Sequence, residues 1–347
     1  MKQLNQEKND LPVQTERGVM IDIGRKFYTI EMLQALIDYM ETLKMNVLQL
    51  HFSENEGFRL ECQTMPELTS KEYLTKKDIT SLIHYAYVRN IMIIPEFDSP
   101  GHLKRLLTSH PEFQMSTFAH NKGYLDDPLF DITNPQAVRL IKEIIQEYIE
   151  LFSTTHYFHL GADEYLNFNE LANYPLLQAN AQKKYKNKEL GYDLFIDYIN
   201  ELADKVEENG LIARVWNDGF YKTDELSKNK LKSTIQITYW THYQKQMATV
   251  QTFIEKGHKI LNFNDNFFYF VLGEEAGYKY PTGEKIKENW TINVFSGNQQ
   301  LSKRDMRQVI GTYFAIWSDN SDALTETEVL TRIKEPLKEQ QKKIWQY

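Results

Sequence analysis

Eight short β-rich runs recur along the chain, at residues 18–23, 46–52, 91–97, 156–160, 213–216, 235–240, 259–263 and 310–317, and they constrain the fold more than any other feature. Amphipathic stretches lie between them. In residues 29–44, Ile30, Leu33, Leu36, Ile37, Met40 and Leu43 recur at helical spacing and would face a sheet. Asn134 followed by Pro135 reads as an N-cap and first helical position, opening a run to Phe152 with Val138, Ile141, Ile145 and Ile149 inward. Thr325 and Glu328 form the capping-box pattern that starts the last helix. Strands alternating with helices predict a parallel sheet, and eight units predict its closure into a single (β/α)8 TIM barrel of the α/β class. The 347 residues fall within the range that such barrels occupy as one unit. The expected organisation is a polar extension over residues 1–14 and one catalytic barrel over 15–347. Residues 273–302 carry no clear pattern and are expected to form a long loop after the seventh strand. The polar stretch 115–131 would overhang one end of the barrel.

Composition narrows the classes of function. The longest apolar runs fall short of the ~20 residues that cross a bilayer, so no membrane span is expected. A formal net charge of -8 argues against nucleic acid and anionic membranes as partners and favours neutral or cationic ligands. The lone Cys62 excludes an intrachain disulfide and a cysteine-based zinc cluster. The first ten residues lack the apolar stretch of a secretory leader, so either the protein stays inside the cell or a leader has been removed.

Catalytic groups of a (β/α)8 barrel gather where its strands end. The residues that close the eight runs are polar or aromatic: Asp22 and Arg25, His51 and Glu54, then Glu96, Asp98 and His102, then His159, Asp163 and Glu164. The second half adds Trp216 and Asp218, Tyr239 and Trp240, Asn264 and Tyr269, and Trp317 and Asp319. Paired carboxylates among tryptophans suit glycoside chemistry, because sugars offer C–H faces to indole rings while carboxylates grip hydroxyls and move protons. No glycine-rich phosphate loop and no G-x-S-x-G elbow is present. Plainer readings stand beside these. Asp163 and Glu164 could form a solvated acidic turn, His159 could be a hydrogen-bonded core histidine, and Tyr269 lies in an aromatic run that would pack on its own account. Arg25 could simply pair Asp22, and Glu96 and Asp98 could support the site without touching a ligand. His51, Glu54 and His102 could hold a metal, although no H-E-x-x-H pattern appears.

The run HLGADE, from His159 to Glu164, resembles the H-x-G-x-D-E signature of glycoside hydrolase family 20, and the surrounding chain resembles the dispersins of that family. The likeness extends in order through RGVMIDIGRKFY, LQLHFSENEGF, IPEFDSPGH, RVWNDG, ITYW and AIWSDN. Each motif is modest alone, and their order is specific. Many relatives carry an α/β domain before the barrel; with the first motif at Arg17, none is expected here. The resemblance implies a retaining β-N-acetylglucosaminidase in which the sugar's own 2-acetamido oxygen attacks C1. It implies hydrolysis of poly-β-1,6-N-acetylglucosamine, with exo-acting cleavage of chito-oligosaccharides or glycan termini as the alternative. A catalytically silent sugar-binding barrel is a third reading. The partner implied is a polysaccharide or oligosaccharide of β-linked N-acetylglucosamine, with no cofactor, no metal, and a secreted or cell-surface location.

By the same resemblance Glu164 is the general acid and then the base, Asp163 orients the acetamide, and Tyr269 donates to the acetamide oxygen. Trp216, Trp240 and Trp317 would enclose the methyl group and the sugar face, and Arg25 and Asp319 would hold hydroxyls. Glu54 and His102, with His159, would form a relay behind the acid. Successive side chains alternate along a strand, so Asp163 and Glu164 would meet the substrate from different directions. Glu54 and Asp319 depart from the dispersin pattern by one methylene each, Asn167 replaces a tyrosine, and Val271 stands where many other members have an acid.

Overall fold

The computed structural model describes residues 14–116, 128–223 and 226–346, of which 168 and 169 by backbone alone. The eight anticipated strands are present as β1 (Glu16–Asp22), β2 (Val47–His51), β3 (Met92–Glu96), β4 (Tyr157–His159), β5 (Ile212–Trp216), β6 (Gln236–Tyr239), β7 (Ile260–Asn262) and β9 (Val309–Trp317). All pair in parallel in that order, and β1 pairs β9 to close the barrel. A short extra strand, β8 (Tyr269–Val271), lies against the end of β9, with Tyr269 opposite Ala315.

The helices form where caps and apolar stripes coincide. Helix α1 (Ile30–Thr42) begins at Thr29, whose side chain accepts from the Met32 N–H, and buries Met32, Leu33, Leu36, Ile37 and Met40. Helix α2 (Lys76–Tyr87) follows β2 and carries a capping box of Thr75 and Asp78. In α3 (Pro135–Leu151), Asn134 accepts from the N–H groups of Gln136 and Ala137, with Pro135 at the first position. Helix α4 (Gly191–Glu208) packs on β5. The last helix, α6 (Glu326–Gln346), has the anticipated capping box: the Glu328 carboxylate accepts from the Thr325 N–H at 2.8 Å, and the Thr325 hydroxyl accepts from the Glu328 N–H at 3.3 Å. No described helix is long and apolar enough to cross a membrane.

Two expectations need revision. Residues 273–302 are not a patternless loop: they contain α5 (Gly283–Asn289), capped by Thr282, and a small hairpin of Val294–Phe295 with Gln299–Gln300. Both pieces are too short for periodicity to reveal. The crossover from β5 to β6 has no helix among its described residues. Residues 117–127 of the expected overhang, and 1–13 of the expected extension, lie outside the described residues. The ends of the overhang are tied together, the Met115 N–H donating to the Leu129 carbonyl at 2.7 Å.

Inside the barrel a second apolar cluster, including Met20, Ile94, Leu261, Phe263 and Tyr313, is separate from the larger one between strands and helices. Gly18 makes room for it, since a Cβ there would lie 2.1 Å from the Tyr313 ring. Above this layer the register places Asp22 beside His51, His51 beside Glu96 and Glu96 beside His159, so four polar side chains share one rim.

Candidate active site

Arg25 follows β1 and is locked in place at the rim. Its guanidinium lies 2.9 Å from Asp22 Oδ2 and 2.7 Å from Glu54 Oε1, and stacks over the Trp317 ring at 5.5 Å. Glu54, in the loop after β2, also meets His51 Nε2 at 3.2 Å and His102 Nδ1 at 3.0 Å. Burial would raise the Glu54 carboxyl, but Arg25 and His102 outweigh it and hold it well below the usual carboxylate range. His102 Nε2 then points at both members of the acidic pair, 3.5 Å from Asp163 Oδ2 and 3.7 Å from Glu164 Oε2. Burial opposes a charge on this imidazole, yet the surrounding carboxylates raise its pKa well above that of a free histidine. Glu54 and His102 thus form the connected chain behind the pair that the motifs imply.

His159 does not join that chain. Its Nδ1 accepts from the Gly161 N–H at 3.1 Å and its Nε2 bonds the Thr238 hydroxyl at 2.9 Å. Glu96 Oε1 is 3.3 Å from the same Nδ1, but burial lowers the ring's pKa to about 4, so the contact is not an ion pair. A nitrogen that accepts a backbone proton is unprotonated, which agrees with the low value. His159 therefore braces the turn that follows β4.

That turn sets the geometry of the pair. β4 ends at His159, so Asp163 and Glu164 are not successive strand residues, and strand alternation does not aim them. Instead Gly161, Ala162 and Glu164 adopt left-handed φ values of +72°, +76° and +48°. Such backbone is costly for non-glycine residues, ~1–3 kcal/mol each, and persists only where the surroundings impose it. Here three buried side chains each accept a backbone N–H: His159 from Gly161, Asp98 from Ala162 at 3.2 Å, and Asp218 from Glu164 at 3.0 Å. Gly161 is required doubly, because a Cβ there would fall 1.8 Å from Asp98 Oδ1.

The resulting carboxyl groups have divergent acidity. Burial raises Asp98 well above the aspartate range, and the Asp163 charge raises it further. Burial works the same way on Asp163, but His102 and a hydrogen bond from Asp98 lower it below the usual value. The two carboxyls are thus driven apart, Asp98 upward and Asp163 downward. Glu164 is raised to about 8, chiefly by burial and then by the charges of Asp163 and Asp218, against the opposing effect of His102.

Aromatic rings wall the space in front of these groups. Trp216 and Trp317 meet at 5.8 Å, Trp317 and Tyr269 at 5.8 Å, and Tyr269 stacks on Trp240 at 5.7 Å with an interplanar angle of 2°. Glu96 fixes Trp216 by accepting its indole N–H at 2.7 Å. Burial keeps the Tyr269 phenol protonated. The cavity, about 530 Å³, is lined by every residue to which the resemblance gives a site role except His159: Arg25, Glu54, His102, Asp163, Glu164, Trp216, Trp240, Tyr269, Trp317 and Asp319. It also holds Tyr243, Val271, Asp265, Ala276 and Tyr278. Tyr278 donates to Asp265 at 3.2 Å from the segment expected to be a loop, and nothing in its sequence marked it. Asp218 was visible only as a strand-end acid. Asp98, His102 and Asp163 could also hold a cation between them.

A (β/α)8 barrel that sets carboxyl groups of opposite protonation before a tryptophan-walled cavity has the architecture of a glycoside hydrolase. Comparison supplies the family: the model described as glycosyl hydrolase family 20, catalytic domain, matches residues 16–334, and the chain belongs to that family. It is 30% identical over 318 residues to the lacto-N-biosidase of Bifidobacterium bifidum, covering 92% of this chain and 27% of that protein. It is 26% identical over 340 residues to the chitooligosaccharidolytic β-N-acetylglucosaminidase of Bombyx mori, covering 91% of this chain and 55% of that one. The chain thus spans about a quarter to about half of these relatives. The crystal structure of dispersin B superposes with a TM-score of 0.74 at 23% identity, covering 95% of this chain and 99% of that chain, a likeness of fold.

Proposed function

We propose that the protein is a retaining β-N-acetylglucosaminidase that uses the substrate's acetamide as nucleophile. The observation that carries this reading is the geometry of the pair: Asp163 and Glu164 lie 3.5 and 3.7 Å from one imidazole nitrogen in front of the aromatic wall, where His102 pulls the Asp163 carboxyl down and burial pushes Glu164 up to about 8. The acetamide oxygen attacks C1 while Glu164 gives its proton to the leaving oxygen and the glycosidic bond breaks. Asp163 accepts the amide N–H and stabilises the oxazolinium charge, and Tyr269 donates to the amide oxygen. Water then attacks C1, Glu164 takes its proton, and the amide is restored with retained configuration. Trp216, Trp240 and Trp317 enclose the methyl group and sugar face. Arg25, pre-paired with Asp22 and Glu54, and Asp319 at the rim hold hydroxyls by charge-assisted bonds.

For the substrate we favour poly-β-1,6-N-acetylglucosamine. Two observations support this: the barrel matches dispersin B over nearly all of that chain, and a net charge of -8 suits partly deacetylated, cationic polymer. Such a polymer lies outside cells, which would make the enzyme secreted or surface-bound. The likeness to the chitooligosaccharidolytic enzyme of Bombyx mori supports the second reading, exo-cleavage of chito-oligosaccharides. Digestion of the β-1,6 polymer beside chitin oligomers, with products sized over time, separates them. Cleavage of the chitin oligomers alone would overturn the first, and cleavage of neither by folded protein would leave a silent sugar-binding barrel.

A further inference from the structure

The segment after β5 grips its two neighbours at the rim, the acidic turn after β4 and Trp240 after β6. The Trp216 N–H donates to the Gly161 carbonyl at 2.9 Å, at the start of the turn, and Asp218 Oδ2 accepts the Glu164 N–H at its end. Asn217 Oδ1 accepts the Trp240 N–H at 2.8 Å, and Asp218 Oδ1 accepts the Trp240 indole N–H at 3.0 Å. We propose that Asp218 is a positioning residue that holds the proton donor's backbone and the Trp240 wall at a fixed separation with a single carboxylate. This rests on the proposed function above and gives a role to a residue that lies within the RVWNDG run but that the resemblance left without one.

Asp218 is buried, and its two oxygens serve two donors, one from the turn after β4 and one after β6. As a carboxylate it offers one oxygen to each donor, and without the bond to the backbone Glu164 loses the N–H anchor that accompanies its left-handed backbone. The groups that act on the Glu164 carboxyl are His102 after β3, Asp163 in the same turn, Asp218 after β5 and Arg25 after β1.

Asp218→Asn tests the assignment, because the amide has the same shape but one acceptor oxygen for two donors. On an aryl β-N-acetylglucosaminide kcat should fall about tenfold or more, with a smaller change in KM. The basic limb of the rate profile should move to lower pH, since a negative charge beside Glu164 is gone. Rates are normalised to folded protein by circular dichroism and melting. Wild-type kcat with an unmoved limb, or a loss matched by the unfolded fraction with an unmoved limb, overturns the proposal. A wild-type enzyme with no turnover overturns the parent function, and the assignment with it.

Discussion

At the N-terminal end of the barrel, Arg214 meets Glu16 at 2.7 Å, Gln236 at 2.9 Å and the Tyr313 hydroxyl at 3.1 Å, and lies over the Tyr157 ring at 3.6 Å. At the C-terminal end Arg25 is the one lysine or arginine among the described residues lining the cavity, against Glu54, Asp163, Glu164, Asp265 and Asp319. Both regions bury charge. In the lower one a guanidinium and a carboxylate pair one to one and satisfy each other, so the result is a plug. In the upper one acids outnumber bases, so protons must be distributed among groups of shifted pKa, and a distributable proton is what acid–base catalysis needs.

The largest separation of the two ends should come from Glu164→Gln, which keeps shape and removes the movable proton. Turnover should fall ~10²–10⁴-fold while a thiazoline mimic of the cyclised intermediate still binds by calorimetry; a fully active variant would remove Glu164 as the acid. Glu16→Ala should do the reverse. Leaving Arg214 buried without its anion should cost ~3–5 kcal/mol in urea unfolding, with near-normal activity per folded molecule, and stability unchanged would show that the plug is not a plug.

A smaller effect follows from linkage. Glu164 titrates near its ordinary value when unfolded and at about 8 when folded, so folding takes up a proton between these values. Its contribution to stability therefore declines as pH rises from about 4.5 to about 8 and is level above. Activity should fall over the basic limb near pH 8 for the same reason. The melting temperature of Glu164→Gln relative to wild type should rise across that window, and a constant difference would contradict the assigned shift. The smallest expected effect is none: chelator dialysis should leave turnover unchanged. Loss restored by a divalent cation would turn Asp98, His102 and Asp163 into a metal site.

Much of the barrel was legible because its signals are local. Thr29, Asn134 and Thr325 cap helices through bonds within a few residues, and the apolar stripe of residues 29–44 needs no knowledge of what it packs against. The same holds for the motif residues, since strand ends collect at one rim in any closed barrel. What was not legible depended on partners far along the chain. Asp218 looked like any acid after a strand until Glu164 and Trp240 came within 3.0 Å of it. His159 was grouped with a relay that it does not touch, because its partners are Gly161, just beyond it, and Thr238 across the barrel. Tyr278 reached the cavity from a segment whose helix has seven residues and Asp265 from a helix of four, both too few to show a period.

The amino-acid order by itself determined which residues could form strands, where helices start, and which acids, rings and histidines would share the catalytic rim, because periodicity, capping and strand-end placement are short-range properties. Only the tertiary structure decided which carboxyl carries a proton. Asp98, Asp163 and Glu164 are chemically near-identical groups, and it is depth of burial and distance to His102, Asp218 and Arg25, all set by the closed barrel, that drive their acidities apart.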